Sequence, residues 1–266
     1  FTHPHDPYVC RKEFWDLYED CAHLDPEVPA IPYAQQDPHS QRIFDANDWR
    51  AFDITPDDIR KSRRAYFANI SYLDHKVGEI LDVLERTRQE AAILFVSDHG
   101  DMLGERGLWF KMTFFEGAAR VPMMLCAPEV LPGLVTDPVS NIDVCPTLCD
   151  LAGISLDDIA DWTHGESLLP VAGGAGRQSP VRMEYAAEGS YAPLISLRQG
   201  PWKYNRCQLD PDQLFNLDTD PQELRNLADD PDHAKTLAGF QAEAEARWDL
   251  DAFDGGVRKS QARRWI

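Results

Sequence analysis

Asp98 and His99 stand side by side directly after a short apolar run, Ala91 to Val96. A carboxylate and an imidazole both ligate metals. Sequence neighbours reach one ion only where the backbone turns sharply, because successive side chains of a strand point to opposite faces. Gly100 follows and permits such a turn. Lys111 comes next, a point charge able to hold an anionic oxygen or to give a proton to a departing one. Near the start, Phe1 to Tyr8 reads FTHPHDPY, two histidines in a loop that its prolines keep extended. His5, followed at the second position by Pro7, is a candidate for acid–base or anion-binding work, and His3, without a proline at that spacing, is a weaker one. The plainer alternatives are a surface loop whose histidines are idle, with Asp98 capping a turn and His99 a satisfied loop residue.

These residues need elements to hold them. The run Ala91–Val96 has the continuous apolar character of a strand buried on both faces, and ligands of open α/β sheets gather at the carboxyl ends of strands. Thr55-Pro56-Asp57-Asp58 predicts the start of a helix that continues to about Arg88. Its apolar stripe is Ile59, Tyr66, Ile70, Leu73, Val77, Ile80, Leu81 and Leu84. The basic run Arg60, Lys61, Arg63 and Arg64 reads as a solvated face of that helix, and Asp74 and His75 as structural. Val121 to Cys126 reads as another core strand, and Asn141 to Leu148 leads into a helix ending near Gly153. The stretch from Arg11 to Phe52 lacks periodicity and reads as an insertion or lid on the substrate side, with one short helix near Lys12 to Tyr18. After a Gly-rich break at Gly173 to Gly176 come short strands near Val181–Tyr185, Ile195–Arg198 and Trp202–Asn205, then a helix at about Asp232 to Asp249.

Composition narrows the classes. With 26 basic against 45 acidic residues the 266-residue chain carries a net charge of −19, which argues against nucleic-acid binding and is compatible with a cationic substrate. No stretch approaches the ~18–20 consecutive apolar residues of a membrane span. The six cysteines show no zinc or redox spacing and read as reduced, mostly buried thiols of a cytoplasmic protein. The first residue is Phe1, inside what reads as a strand entering a loop, so the chain is expected to be a piece of a longer protein.

Taken together, Ser97-Asp98-His99-Gly100-Asp101, Lys111, Glu116-Gly117 and Arg120-x-Pro122 resemble the sulfatase family of the alkaline-phosphatase-like superfamily. The resemblance extends over His5-Asp6-Pro7 as a His-x-Pro element, over Asp143-x-x-Pro146-Thr147, and over His164 to Pro170. It is clearest at Leu214-Phe215-Asn216-Leu217-x-x-Asp220-Pro221-x-Glu223-x-x-Asn226-Leu227. It implies an α/β fold, a mixed sheet flanked by helices and only partly present here, followed by a small C-terminal α+β subdomain with an antiparallel sheet. The implied divisions are 1–176 for the α/β part, 177–247 for the subdomain and 248–266 for an extension.

The same resemblance implies hydrolysis of a small-molecule sulfate ester, choline-O-sulfate foremost, without nucleic-acid or membrane partners. It assigns Asp98 and His99 to a divalent metal, Ca²⁺ foremost with Mn²⁺ brought into play by the imidazole, and His5 and Lys111 to catalysis. The nucleophile, a formylglycine made from a Cys-x-Pro-x-Arg motif, is expected upstream; Cys126-Ala127-Pro128 fails that pattern because Val130 stands where the arginine belongs. His3, Glu184, Glu188 and Trp109 are candidate substrate contacts, since a choline headgroup would want aromatic faces and carboxylates; Trp248, Asp249 and Phe253 of the tail are others. The extension is expected to support a homo-oligomer. Two alternatives stand beside this reading: phosphonate monoester or phosphodiester hydrolysis on the same scaffold, and a non-catalytic fragment that supplies scaffold and oligomer contacts.

Overall fold

The computed structural model describes residues 1–161, 163–177 and 179–264. Helix α1 (Lys12–Trp15) opens the insertion. A second helix lies within it, α2 (Pro38–Ala46), where one short helix was expected. Its start has the same chemistry as the long helix: Asp37 accepts the Ser40 N–H at 3.1 Å and Pro38 occupies the first turn. The insertion is not a free flap. Val28 and Ile31 exchange backbone hydrogen bonds with Arg106, and the Glu105 carboxylate accepts the N–H groups of Glu27 and Val28.

Helix α3 (Pro56–Thr87) begins as predicted, with a reciprocal Thr55–Asp58 capping box, and ends with Arg88 in the left-handed region. Its basic run departs from expectation. Arg60 and Lys61 pair with Asp25 and Asp57 at the surface, but Arg63 turns inward onto Glu105 and the Leu103 carbonyl. Arg64 lies over the Trp15 ring, 4.2 Å from its centroid. Two of the four cations thus fasten the helix to neighbouring loops instead of facing solvent. The apolar stripe is also only partly covered: Ala65, Ala68 and Asn69 are buried, whereas Ile70, Ile80 and Leu81 are exposed.

Strand β1 (Ile93–Val96) pairs antiparallel with β2 (Met123–Cys126), Ile93 opposite Cys126 and Val96 opposite Met123. Both strands are shorter than predicted, β1 is half-buried along its length, and Met124 is 60% exposed. Among the described residues this sheet has two strands, and neither is packed on both faces. Short helices α4 (Glu116–Ala119), α5 (Val144–Leu151) and α6 (Leu169–Ala172) follow. Buried Asp143 anchors the segment around α5 through the Arg177 guanidinium and the Glu166 N–H.

The remaining elements form a well-closed unit. Strands β3 (Val181–Tyr185), β4 (Leu194–Gln199), β5 (Trp202–Cys207) and β6 (Gln213–Asn216) make an antiparallel meander. Gly200, at φ +52°, supplies the β4–β5 turn. Helices α7 (Ala234–Arg247) and α8 (Leu250–Arg263) complete it. Ile195, Leu197, Tyr204 and Leu214 are wholly buried against Leu227, Phe240, Ala244 and Leu250. The signature at residues 214–227 has a local cause. The Asn226 side chain accepts the Leu214 and Ala228 N–H groups and donates to the Asp212 carbonyl, while the Asp220 carboxylate accepts those of Leu224 and Arg225. Within the expected segments 177–247 and 248–266, Gln178 and the final Trp265-Ile266 lie outside the described residues. Leu250 of the extension belongs to the same core as Phe240. The cysteines, expected to be mostly buried, are all free thiols, but only Cys207 is buried.

Candidate active site

The loop after β1 turns where Asp98 and His99 sit. The Asn141 amide donates to the carbonyls of both Ser97 and Asp98, at 2.9 and 3.0 Å, and the Ser97 hydroxyl donates to the His99 carbonyl. Gly100 donates to the Ala118 carbonyl at 2.8 Å. A Cβ at position 100 would lie 2.2 Å from the Gly117 carbonyl oxygen, so only glycine allows the loop this close to α4.

His99 Nδ1 lies 2.8 Å from the Gly100 carbonyl, which can only accept, so Nδ1 donates and Nε2 is the ring atom left for a ligand. Nε2 lies 3.7 Å from Asp98 Oδ2. Partial burial raises the Asp98 carboxyl, but His99, its N–H bond and Lys111 outweigh this and hold it below the usual carboxylate range. The carboxylate is thus ionised, the state that metal ligation needs of it. Among the described residues no group of three or more His, Cys, Asp or Glu side chains converges to hold a metal, so this chain offers two donors and not a closed set.

His5 comes back onto the same site from the start of the chain. Its Nδ1 contacts the Asp6 carbonyl at 2.8 Å and Asp6 Oδ1 at 3.0 Å, and its ring meets that of His99 edge-on at 5.9 Å. Lys111 Nζ lies 2.8 Å from His5 Nε2. With Nδ1 donating to Asp6, Nε2 accepts from the ammonium, which makes a neutral imidazole hydrogen-bonded to a charged lysine.

Asp101 holds these parts together. One of its oxygens accepts the Leu103 and Phe110 N–H groups at 2.9 and 3.0 Å, and the other accepts the Tyr8 hydroxyl at 2.7 Å. It joins the His5 loop to the Lys111 hairpin. Burial and then Asp101 push the Tyr8 phenol above its ordinary range, so it remains a donor. Lys111 itself lies in irregular chain whose flanking carbonyls are pinned one by one. Phe110 accepts from Met102 N–H, Met112 from His39 Nε2, and Phe114 from Lys203 Nζ, at 2.8, 2.7 and 2.7 Å. Asp101, Asn141, His39 and Lys203 were given no site role from sequence. Asp101 carries a signal, its place in the Ser97–Asp101 motif, whereas the other three act through contacts distant in sequence.

The remaining candidates are placed elsewhere. His3 packs edge-on against Tyr72 of α3, ring centroids 5.1 Å apart. Glu184 accepts the Trp248 indole N–H at 2.6 Å, and Glu188 accepts the Tyr185 hydroxyl. Trp109 is half-buried in the Lys111 hairpin. Among the described residues no hydrogen bond, ion pair or ring contact joins these four to His5, Asp98, His99 or Lys111.

Comparison with known proteins fixes the class. The sulfatase family profile matches residues 3–154, and a profile described as the C-terminal part of N-sulphoglucosamine sulphohydrolase matches residues 104–247. The chain belongs to the sulfatase family, and its fold is the alkaline-phosphatase-like α/β fold. It is 62% identical, over 271 aligned positions and its whole length, to choline-sulfatase of Rhizobium meliloti (strain 1021), of which it covers 53%. Arylsulfatase K of Danio rerio is 34% identical over 62% of the chain and 33% of its own length. The chain thus spans about half the length of the choline-sulfatase it matches. Among solved structures, a phosphonate monoester hydrolase from Silicibacter pomeroyi superposes with a TM-score of 0.77 over 91% of this chain and 53% of its own, at 24% identity.

Proposed function

We propose that this chain supplies the leaving-group side and part of the metal site of a sulfuric ester hydrolase acting on choline-O-sulfate. The observation that carries the reading is the direct contact between Lys111 Nζ and His5 Nε2, beside the Asp98 carboxylate and its neighbour His99. In a sulfate ester the sulfur is attacked as its bond to the leaving oxygen breaks, and that oxygen must take a proton. Lys111 and His5 divide two jobs: one neutralises a non-bridging sulfate oxygen while the other delivers the proton. Their hydrogen bond gives a route for that proton between Nζ and Nε2. Asp98 and His99 fit a divalent cation, Ca²⁺ with oxygen donors and Mn²⁺ where the imidazole weighs more. When bound, such an ion draws charge off a sulfate oxygen. The attacking formylglycine and the remaining ligands belong to the part of the protein outside residues 1–266.

The division at 1–176, 177–247 and 248–266, and a homo-oligomer built through the last segment, are part of the same proposal. So is contact of Glu184, Glu188, Trp109 and His3 with the choline end. A second reading, phosphonate monoester or phosphodiester hydrolysis, is favoured by the structural likeness to the Silicibacter enzyme. The third, a fragment that only supplies scaffold, is favoured by the two-donor metal site.

The test is turnover of choline-O-sulfate, a phosphonate monoester and a phosphodiester by the full-length protein, with and without Lys111→Ala and His5→Ala. Preference for the sulfate ester, lost in either variant, is expected. Preference for a phosphorus ester installs the second reading, and full activity of both variants removes the proposed roles.

A further inference from the structure

Lysine is almost never fully buried, yet Lys203, the second residue of β5, is 0% exposed on an inner strand of the C-terminal sheet. Its three ammonium protons face three acceptors: the Phe114 carbonyl at 2.7 Å, Glu223 Oε1 at 2.8 Å and Glu116 Oε1 at 2.5 Å. Glu223, 2% exposed, uses its second oxygen to accept the Glu116 N–H at 2.7 Å. Burial pushes the Glu223 carboxyl up, and Lys203 pulls against that shift. Arg106 in turn donates to the Glu223 carbonyl, fixing the main chain that presents it.

Packing alone does not call for this arrangement. A buried ion pair stabilises little relative to apolar residues of the same volume, and its attested use is to fix register. What it registers here is the corner Phe114–Glu116. Lys111 lies three residues before that corner. Immediately after it, Gly117 and Ala118 carry the carbonyls on which Gly100 rests, behind Asp98 and His99. One corner therefore sets both the lysine loop and the metal loop.

We propose that Lys203, with Glu223 as its counter-charge, is a positioning residue through which the C-terminal sheet holds Lys111 in register with Asp98 and His99. The Glu of the Asp-Pro-x-Glu segment is then there to neutralise Lys203, and the sheet acts on the site without touching the substrate. The inference rests on the reading of Lys111 as the group facing the ester.

The experiment uses the full-length protein and Lys203→Met with Glu223→Gln, which removes the two buried charges together at similar volume and leaves only Glu116, whose side chain reaches solvent, charged. Amide hydrogen exchange is followed separately in residues 110–118 and in β4–β5. Exchange in 110–118 is expected to rise about tenfold or more with β4–β5 unchanged. The turnover number for choline-O-sulfate is expected to fall about tenfold or more, and less for para-nitrophenyl sulfate, whose leaving oxygen needs no proton. Unchanged exchange in 110–118 overturns the proposal, and so does equal loss of protection in β4–β5, which marks a purely structural lysine. If the double variant does not fold, Glu223→Gln alone decides. Its amide still accepts from Lys203 but cannot accept the Glu116 N–H, and the same local rise in exchange is required. A wild-type protein without sulfatase activity sinks the functional reading, while the exchange arm still judges the positioning claim.

Discussion

The two sheets of this molecule are built to different degrees of closure. The β3–β6 meander has both helices it needs, and Ile195, Leu197, Tyr204 and Leu214 are sealed within it. The β1–β2 ladder has no fully buried strand residue, and the long helix that precedes it in the chain leaves Ile80, Leu81 and Val83 facing solvent. The first is a finished hydrophobic core. The second is an uncovered ladder among the described residues, and the chain spans about half of the choline-sulfatase it matches. The candidate site lies where they meet, Asp98 and His99 on the open side and the Lys111 loop fastened to the closed side. A catalytic centre assembled on such a seam depends on the closed unit for rigidity and on the open one for completeness.

The sharpest way to break this picture is at the seam. In the full-length protein Lys111→Ala is expected to lower the turnover number by about 10²–10⁴-fold, the range for a lost general acid; steady-state kinetics on choline-O-sulfate checks it. Next come the cores. Leu197→Ala should cost ~2–5 kcal/mol in denaturant unfolding of the full-length protein. Leu81→Ala, exposed here, should cost under ~0.5 kcal/mol if α3 stays uncovered, and more if the rest of the protein covers it. Equal costs for the two would show that the open side is buried to the same degree in the whole molecule.

A smaller effect concerns pH. Burial, against the opposing pull of the Met112 carbonyl and Asp37, holds the His39 imidazole below its ordinary value of 6.5. The unfolded chain then takes the proton first, so the stability His39 contributes is present above pH 6.5 and lost as pH falls through the lower folded value. Midpoint temperatures of wild type and His39→Gln, compared across that window, should converge on acidification. The smallest effect belongs to the surface: Lys12→Ala, which removes a pair with exposed Asp16, should shift stability by about 0.5 kcal/mol or less.

What could be read from sequence was what is local. The start of α3 is written in four consecutive residues, the turn at Gly200-Pro201 in two, and the pairing of Asp98 with His99 in their adjacency. α2 carried the same Asp37-Pro38 signal but was hidden by the lack of a sustained apolar period around it. Arg63 and Arg64 turned inward because their partners, Glu105 and Trp15, lie about forty and fifty positions away, where helix periodicity carries no information. The burial of Lys203 was invisible for the same reason: nothing beside it announces that Phe114, Glu116 and Glu223 will close over it. The contact of His5 with Lys111, 106 positions apart, entered only through likeness to a known pattern.

At Gly100 main chain rests directly on main chain, with no side chain between the metal loop and the Gly117 carbonyl. The gap there cannot be retuned by exchanging one rotamer or one residue for another, as most contacts in a protein can. The separation between the Asp98–His99 loop and the helix that Gly117 and Ala118 belong to therefore changes only when the backbone of both is rebuilt together.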